Sequence, residues 1–334
     1  GNYAQKGIIK ISKSGEVFAT VTEADGMYQP VYEVQGLAGA TYEIKAAEDV
    51  YTLDGTLRYS SGEVVDSVTT GEDGVAESKP LYLGKYEIYE TEAPFGMVIN
   101  TEVHSAELVY AGQEIEITET AASFCNDRQK VQISLTKVME QNKQFGIGMN
   151  DEMSAVTFGL YAGEELTAKD GKVIPADGLV EIISVDENGK AKAKSDLPFG
   201  NYYLKEISTD QHYILTDEKF SVSFEYAGQT VDIVDIKANN GKSISNELIY
   251  GEVHGMKKDE NGTALGGATI GLFYTDGKEP VLTTVSAEDG SFFFKDIPFG
   301  EYIVREIKAP EGFVMDETPY TVNIHKDGAV VEIE

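Results

Sequence analysis

The sequence predicts an all-β protein built from three tandem immunoglobulin-like β-sandwiches that form an elongated rod, and three observations support this prediction. The 334 residues divide into units of about 110, the usual size of a β-sandwich. Four sequence elements recur in the same order in each third of the chain. Their apolar residues alternate with polar ones, as in strands with one buried face, and no segment keeps a helical period for more than about two turns.

The first recurring element is a strand that ends in a lysine. It reads IIKISK up to Lys13, ISLTK up to Lys137 and VHGMK up to Lys257. These lysines are 124 and 120 residues apart (137−13 and 257−137), so the repeating unit is a whole domain. The second element reads GLAGATYEI at 36–44, SAVTFGLY at 154–161 and LGGATIGLF at 265–273.

A glutamate-containing strand forms the third element, and a short strand forms the fourth. The third reads LYLGKYEIYETEAPFGM at 81–97, LPFGNYYLKEISTDQHY at 197–213 and IPFGEYIVREIKAPEGF at 297–313. The fourth reads YAGQEIEI at 110–117, YAGQTVDI at 226–233 and HKDGAVVEI at 325–333. We therefore expect domains at 1–127, 128–248 and 249–334.

The domains differ mainly in inserted segments. Domain 1 has extra sequence at 14–35 and around 54–80, and domain 2 has an insertion at 138–153, while domain 3 is nearly minimal. Insertions of this kind are decorated loops in most β domains. In a surface protein they are also the segments that most often contact a ligand, so both interpretations stay open.

Composition excludes several classes of function. The 57 acidic and 27 basic residues give a net charge of -30, which repels nucleic acid and anionic lipid, so we expect no nucleic-acid partner. No apolar run reaches membrane length, so we expect no membrane insertion. Cys125 is the single cysteine, which rules out an intrachain disulfide, and the four histidines lack ligand spacing. We expect neither a metal nor a cofactor.

The recurring lysine and glutamate are predicted to face the core. Residues two apart in a strand share a face, so Lys13 points with Ile9 and Ile11, and Glu90 points with Tyr86 and Ile88. The same reasoning applies to Lys137, Glu206, Lys257 and Glu306. Burying an unpaired charge costs several kcal/mol. Each lysine and glutamate must therefore neutralise each other in a buried salt bridge or react.

Two asparagines hold the same position relative to the repeat. Asn126 and Asn246 each lie 11 residues before the next lysine (137−126 and 257−246). This equal spacing indicates that the last strand of one domain runs directly into the first strand of the next without a flexible linker. We expect the domains to form a stiff rod.

The leading lysines, the GLAGATYEI and LGGATIGLF segments, and the ETEAPFG and EIKAPEG segments resemble the collagen-adhesin B-type (Cna B-type, prealbumin-like) domains of Gram-positive adhesins and pilins. The resemblance covers essentially the whole chain. It implies that a first-strand lysine condenses with a last-strand asparagine or aspartate, aided by a glutamate, to form an intramolecular isopeptide bond. The residues that match these roles are Lys13, Glu90 and Asn126 in domain 1 and Lys137, Glu206 and Asn246 in domain 2.

The match is uneven among the domains. Domain 2 replaces the alanine-proline segment after its glutamate with EISTDQHY. In domain 3, Lys257 and Glu306 are present, but the acceptor is expected 36 to 40 residues after the glutamate (126−90 and 246−206), whereas the sequence continues for 28 (334−306). We therefore expect two cross-links, not three. Each forms once per molecule, so the chemistry is maturation and the protein is not an enzyme.

The resemblance implies an extracellular, cell-wall-anchored protein whose anchor lies outside this sequence, and in which the three domains act as a structural stalk of an adhesin or pilin. One alternative is a ligand-binding adhesin region, with recognition by the domain 1 insertions of a host extracellular-matrix protein or glycan. Another is a set of accessory β modules in a secreted carbohydrate-active enzyme. A pilin would also have other pilin subunits as partners, joined by sortase.

Overall fold

A computed structural model describes residues 1–333 and shows three successive β-sandwiches, as the sequence predicts. The first contains β1 (Lys6–Ala24), β2 (Met27–Gly36), β3 (Thr41–Ala46), β4 (Val50–Tyr51), β5 (Leu57–Tyr59), β6 (Val64–Thr69), β7 (Val75–Glu77), β8 (Leu81–Tyr82), β9 (Gly84–Glu92), β10 (His104–Leu108) and β11 (Ile117–Asn126). The second contains β12 (Lys130–Met139), β13 (Thr157–Ala162), β14 (Leu166–Thr167), β15 (Val173–Ile174), β16 (Leu179–Ser184), β17 (Lys190–Lys192), β18 (Gly200–Ser208), β19 (Phe220–Phe224), β20 (Ile233–Lys237) and β21 (Ile244–Asn246). The third contains β22 (Tyr250–Met256), β23 (Thr269–Tyr274), β24 (Leu282–Val285), β25 (Ser291–Pro298), β26 (Gly300–Lys308), β27 (Tyr320–Ile324) and β28 (Val330–Ile333).

Helical structure in residues 1–333 consists of two short 3₁₀ turns, Glu152–Ala155 and Ala238–Gly241. This agrees with the absence of a sustained helical period in the sequence. No helix in these residues has the length and apolar character needed to span a membrane.

Every sandwich packs a sheet holding the first and last strands against a four-stranded sheet. In domain 1 these are β11-β1-β2, with β7 and β8 also paired to β1, and β10-β9-β3-β6. In domain 2 they are β17-β12-β20, with β21 continuing beside β12, and β16-β13-β18-β19. In domain 3 they are β25-β22-β28 and β24-β23-β26-β27. The first and last strands pair in parallel in all three domains. In domain 1 the first strand does not end at Lys13 as predicted, because β1 continues to Ala24, and the end of β11 lies beside Gly15.

The core of domain 1 shows why the alternating sequence forms these sheets. On β1, Ile9, Ile11 and Lys13 are buried on one face. Across the sandwich, β9 buries Tyr86 and Ile88 in the same apolar cluster. Period-2 burial of this kind places the charged residue that ends each series inside the sandwich.

The inserted segment 14–35 is part of a long hairpin that leaves domain 1 and packs on domain 2. Strands β1 and β2 pair continuously from Ser14↔Gly36 to Ala24↔Met27, with one bulge. Val21 lies in the buried apolar cluster of domain 2, and Phe18 and Tyr28 pack against that cluster. We call residues 16–34 the arm. The arm completes part of the neighbouring core, a role that the decorated-loop interpretation does not include.

A second set of contacts joins domain 1 to domain 2 beside the arm. The Arg128 guanidinium of domain 2 stacks 3.5 Å above the ring of Tyr32 on the arm. A two-pronged ion pair with Asp196 of the same domain holds the guanidinium in place, with Nη1 2.8 Å from Oδ1 and Nη2 2.5 Å from Oδ2. Phe95 packs edge-on against Tyr226, with ring centroids 4.9 Å apart. Both contacts span the short segment after Asn126, so this junction has little freedom to bend.

The insertion at 138–153 has the same role at the junction between domains 2 and 3. Phe145 packs against the core of domain 3, and its carbonyl accepts a hydrogen bond from the Tyr274 hydroxyl at 3.3 Å. The Glu140 carboxylate accepts a hydrogen bond from the backbone N–H of Leu248 at 2.6 Å. Two of the three insertions therefore brace domain junctions, while the segment around 54–80 forms β5, β6 and β7 within domain 1.

Candidate cross-linking sites

In domain 1, the three residues predicted from sequence meet at one buried point. Lys13 Nζ donates a hydrogen bond to Glu90 Oε2 at 2.7 Å. Asn126 Nδ2 donates to the other carboxylate oxygen, Glu90 Oε1, at 2.8 Å and to the Val98 carbonyl at 2.6 Å. Glu90 thus contacts both the amine and the carboxamide, and all three side chains are buried.

Strand pairing produces this arrangement. Lys13 lies opposite Phe124 in the parallel β1–β11 pair, so Asn126, two residues further, emerges on the same face of the sheet. Glu90 lies on β9 in the facing sheet, directly opposite Tyr42 on β3. The site therefore bridges the two layers of the sandwich at the point where β11 ends beside β1.

Two aromatic rings keep the domain 1 site dry. Lys13 Nζ lies 5.3 Å from the centroid of the Tyr42 ring and 5.5 Å from that of Phe124. The Tyr42 hydroxyl also donates to Glu90 Oε2 at 3.3 Å. Desolvation lowers the pKa of Lys13, and this effect outweighs the opposing contribution of the Glu90 carboxylate.

Domain 2 repeats the arrangement with different surroundings. Lys137 Nζ lies 3.6 Å from Glu206 Oε2 and donates to the Ile244 carbonyl at 3.2 Å. Asn246 Nδ2 donates to Glu206 Oε1 at 2.8 Å and to the Ile214 carbonyl at 2.9 Å. The EISTDQHY segment of domain 2, despite its departure from the alanine-proline pattern, still places Glu206 between Lys137 and Asn246.

Burial shifts both titrating groups of domain 2 toward their neutral forms. Desolvation lowers the pKa of Lys137 to about 8, against the opposing effect of Glu206. Desolvation also raises the pKa of Glu206, although Asn246 and Lys137 act in the other direction. A neutral amine next to a protonated carboxyl is the pairing that a nucleophilic lysine requires.

The carboxamide oxygens of both asparagines are buried without a hydrogen-bond partner. Rotating the carboxamide by half a turn exchanges Oδ1 with Nδ2, because the two groups are nearly the same size. Asn126 Oδ1 then faces Glu90, and Asn246 Oδ1 faces Glu206. A protonated glutamate in this position donates to the oxygen and polarises the carbonyl for attack.

In domain 3, the structure brings together the two predicted members. Lys257 Nζ lies 3.6 Å from Glu306 Oε1 and 4.0 Å from Asp316 Oδ2. Glu306 Oε2 accepts a hydrogen bond from the Asp316 backbone N–H at 2.6 Å, whereas Oε1 is buried without a hydrogen-bond partner. Among residues 1–333, no asparagine side chain contacts Glu306 in the way that Asn126 contacts Glu90 and Asn246 contacts Glu206.

Sequence reasoning missed the residues that line these sites. The position opposite the glutamate is Tyr42 in domain 1, Phe158 in domain 2 and Ile270 in domain 3. All three lie in the second recurring element. This shared position in the repeat is the sequence signal that could have identified them as residues lining the sites. Cys125 is exposed, and residues 1–333 contain no cluster of three or more His, Cys, Asp or Glu side chains able to hold a metal ion.

The chain is similar to several known proteins. The chain is similar to Colossin-A of Dictyostelium discoideum, with 24% identity over 289 residues, which are 82% of this chain and 2% of that protein. It superposes on the Bacillus anthracis TIE protein with a TM-score of 0.67 and 23% identity, covering 98% of this chain and 50% of that one. It also matches BcpA, the major pilin subunit of Bacillus cereus, with a TM-score of 0.40 and 17% identity over 98% of this chain and 99% of that one.

The chain thus spans half or less of the length of the first two of these relatives. The family described as "SpaA: Prealbumin-like fold domain" matches three segments, residues 31–121, 132–239 and 251–334. These segments cover most of the chain, and one lies in each sandwich, although the first begins after β1 and the second ends before β21. The protein therefore belongs to the family of SpaA prealbumin-like fold domains.

Proposed function

We propose that this chain is a structural stalk of a cell-surface adhesin or pilin, in which domains 1 and 2 each close a covalent amide between the first and last strands. The observation that supports this proposal best is the contact of one buried glutamate with both a lysine amine and an asparagine carboxamide, repeated in two domains. A salt bridge alone accounts for the lysine and the glutamate. It does not account for an asparagine held beside them.

The proposed reaction starts from the neutral lysine. The Lys13 amine attacks Cγ of Asn126, an amide bond forms between Nζ and Cγ, and the bond from Cγ to Nδ2 breaks. Glu90 polarises the carbonyl, accepts a proton from the attacking nitrogen and delivers it to the departing nitrogen, which leaves as ammonia. Glu206 has the same role for Lys137 and Asn246. The reaction occurs once, so we assign the chain a structural function and no enzymatic turnover.

The mechanical role follows from the strand order. Tension applied at the two ends of a domain enters through the first strand and leaves through the last, which pair in parallel. An amide between their ends carries the tension covalently, and the hydrogen bonds of the enclosed sandwich are shielded from load. We propose domain boundaries at 1–127, 128–248 and 249–334 and an extracellular, wall-anchored location, which suit a stalk exposed to shear.

Part of domain 1 offers a surface for the alternative, ligand-binding function. The hairpin of β4 and β5 exposes Tyr51, Leu53 and Leu57. A matrix protein or glycan that binds domain 1, and whose binding is lost on replacing all three residues with serine, would favour the adhesin function over the stalk. Unchanged binding to the triple variant would exclude this hairpin.

Intact mass spectrometry of the purified chain tests the main proposal. We expect the mass to fall short of the sequence mass by two ammonia molecules, one for each of domains 1 and 2. Glu90→Ala should restore one of them, and Glu90→Ala with Glu206→Ala should restore both. A full sequence mass for the unmodified chain would refute the cross-linking proposal.

A further inference from the structure

The loop that follows Glu90 completes the domain 1 site. We call residues 93–99 the site loop. Its Val98 carbonyl accepts a hydrogen bond from Asn126 Nδ2 at 2.6 Å, and Glu90 Oε1 accepts another at 2.8 Å. These two contacts hold the carboxamide beside the Lys13 amine. The position of the site loop therefore sets the geometry of the atoms that would react.

Domain 2 holds the site loop from the outside, through the YAGQ loop that begins at Tyr226 and ends at Gln229. The Ala93 N–H donates to Gln229 Oε1 at 2.8 Å, and the Ile99 N–H donates to the Gln229 carbonyl at 2.9 Å. The Tyr226 hydroxyl donates to the Met97 carbonyl at 2.6 Å. Domain 2 thus binds the start, the middle and the end of the site loop.

The site loop also pairs with the segment that joins the two domains. The Val98 N–H donates to the Asp127 carbonyl at 2.8 Å, and the Gln129 N–H donates to the Gly96 carbonyl at 2.9 Å. Gly96 has a φ of 87°, and an added Cβ would lie 2.9 Å from a carbon of the Phe199 ring in domain 2. The site loop and domain 2 are therefore in close contact.

The arm adds an indirect contact between domain 2 and the site loop. Val17, near the base of the arm, packs against the apolar cluster that contains Ala93 and Met97. Val21, further along the arm, lies in the core of domain 2. The hairpin that enters domain 2 therefore supports the site loop as well.

The equivalent loop of domain 2 has a different support. Its two backbone bonds to the next junction recur, from the Ile214 N–H to the Glu247 carbonyl and from the Ile249 N–H to the His212 carbonyl. The Tyr213 hydroxyl donates at 2.8 Å to the carbonyl of Glu140, which lies in the insertion of domain 2 itself. Within residues 1–333, the domain 3 loop at 325–328, which begins the fourth recurring element, makes no hydrogen bond to this loop.

We propose that Gln229 and Tyr226 are positioning residues for the cross-link of domain 1, so that this bond forms at its full rate only after domain 2 has folded against domain 1. The inference rests on the proposed function. Neither side chain touches a reacting atom, and both act through the site loop. The covalent step is unchanged: an amide forms between Lys13 Nζ and Asn126 Cγ, the bond from Cγ to Nδ2 breaks, and ammonia leaves.

The sequence distance gives this support an effect on the order of events. Gln229 lies 103 residues after Asn126 (229−126), so the support is missing until most of domain 2 has been synthesised and folded. Domain 2 draws the corresponding support from its own insertion, so its bond should not depend on the domain 3 loop. A closed bond in domain 1 then indicates an assembled junction.

Cell-free synthesis of the full chain, sampled over time by mass spectrometry with peptide mapping, follows each cross-link separately. Gln229→Ala removes the oxygen that binds the Ala93 N–H, and we expect it to slow the domain 1 bond about fivefold. Tyr226→Phe keeps the aromatic contact without the hydroxyl and should have a similar effect. The double variant should be about 25-fold slower if the two contacts act independently. The domain 2 bond should form at the unmodified rate in all three variants.

Two further variants serve as controls. Gln229→Glu keeps an oxygen that accepts from the Ala93 N–H, so it should restore the rate to within about twofold of the unmodified chain. Gln113→Ala changes the same position of the YAGQ sequence in domain 1, where the side chain is exposed, and should leave both bonds unchanged.

A second measurement does not depend on single contacts. Leu160→Asp places a charge in the core of domain 2 and should prevent that domain from folding. The domain 1 bond should then be slowed at least as much as in the double variant. Leu272→Asp, at the equivalent position in the core of domain 3, should leave the bonds of domains 1 and 2 unchanged.

The outcomes separate this inference from the proposed function. A domain 1 bond that forms at the unmodified rate in the double variant or in Leu160→Asp overturns the inference and leaves the proposed function intact. Equal slowing of both bonds in Gln229→Ala would trace the effect to the fold of domain 2 and would also overturn it. Loss of the domain 2 bond in Leu272→Asp contradicts the difference between the two junctions. No ammonia loss from the unmodified chain overturns the proposed function itself.

Discussion

Removing the acceptor of domain 1 should remove a large part of that domain's free energy of unfolding. Asn126→Ala prevents the amide and reopens a loop of 113 residues (126−13) in the unfolded chain. The loop-closure treatment developed for disulfides gives about 5 kcal/mol for a loop of this length.

The expected loss is therefore about 5 kcal/mol, against a total of roughly 5 to 15 kcal/mol for a typical domain. Guanidinium chloride unfolding, followed by tyrosine fluorescence and by hydrogen exchange of β3 and β9, measures the change in domain 1. Mass spectrometry on the same sample should show a deficit of one ammonia, from domain 2 alone.

Asn126→Asp is the matched control. The carboxyl has nearly the same shape as the carboxamide and condenses with Lys13 by losing water, so the reacted variant should unfold at close to the original denaturant concentration. If Asn126→Ala unfolds within about 1 kcal/mol of the unmodified chain, or keeps both ammonia losses, the assignment of Asn126 is refuted.

Three further predictions concern pH, the arm and the aromatic lining. In Asn246→Ala, which cannot form the amide, Lys137 has a folded pKa of about 8 and an ordinary value of 10.5, so the free energy of unfolding should rise by up to roughly 3 kcal/mol as pH increases between these values. Urea titrations across this range should lose the slope when Lys137→Met is added, and an unchanged slope contradicts the assignment. Val21→Ala should destabilise domain 2 by about 1.5 kcal/mol, measured by hydrogen exchange, whereas Val34→Ala on the exposed part of the same hairpin should have little effect, and equal effects would argue against the arm's contact. The Tyr42→Phe variant should still form the domain 1 amide completely, because domain 2 has Phe158 at the equivalent position. Bond formation, followed by mass in a refolding time course, should be slowed by no more than about tenfold. Complete loss of the bond would show that the Tyr42 hydroxyl is essential.

The fold and the site residues were predictable where the information is local. Alternation along single strands placed Lys13 and Glu90 inside, and the shared spacing of Asn126 and Asn246 before the next lysine pointed to a common position. The structure brings these residues together because the first and last strands pair in parallel. The repeated sequence elements do not by themselves indicate that the first and last strands pair. Only the family resemblance suggested that pairing.

The arm shows why the rest was not predictable. Residues 16–24 alternate like any half-buried strand, and alternation shows which side chains are covered but not by what. The covering surface belongs to domain 2, more than 100 residues later in the chain, as in the contact between Val21 and the core containing Phe158. The lining by Tyr42 and Phe124 also depends on packing between two sheets, which no single segment encodes.

The parallel pairing of first and last strands has a consequence for the reach of the molecule. Without a cross-link, a domain that unfolds under tension releases the 112 residues between Lys13 and Asn126, which extend to roughly 400 Å. With the proposed amide in place, the covalent path between the two ends of the domain runs along β1 to Lys13, through the amide to Asn126, and out to the residues that follow β11. This path is already extended in the folded domain. Unfolding the sandwich then adds almost no contour length, so whatever the stalk carries would be held at a constant distance even when a domain loses its fold.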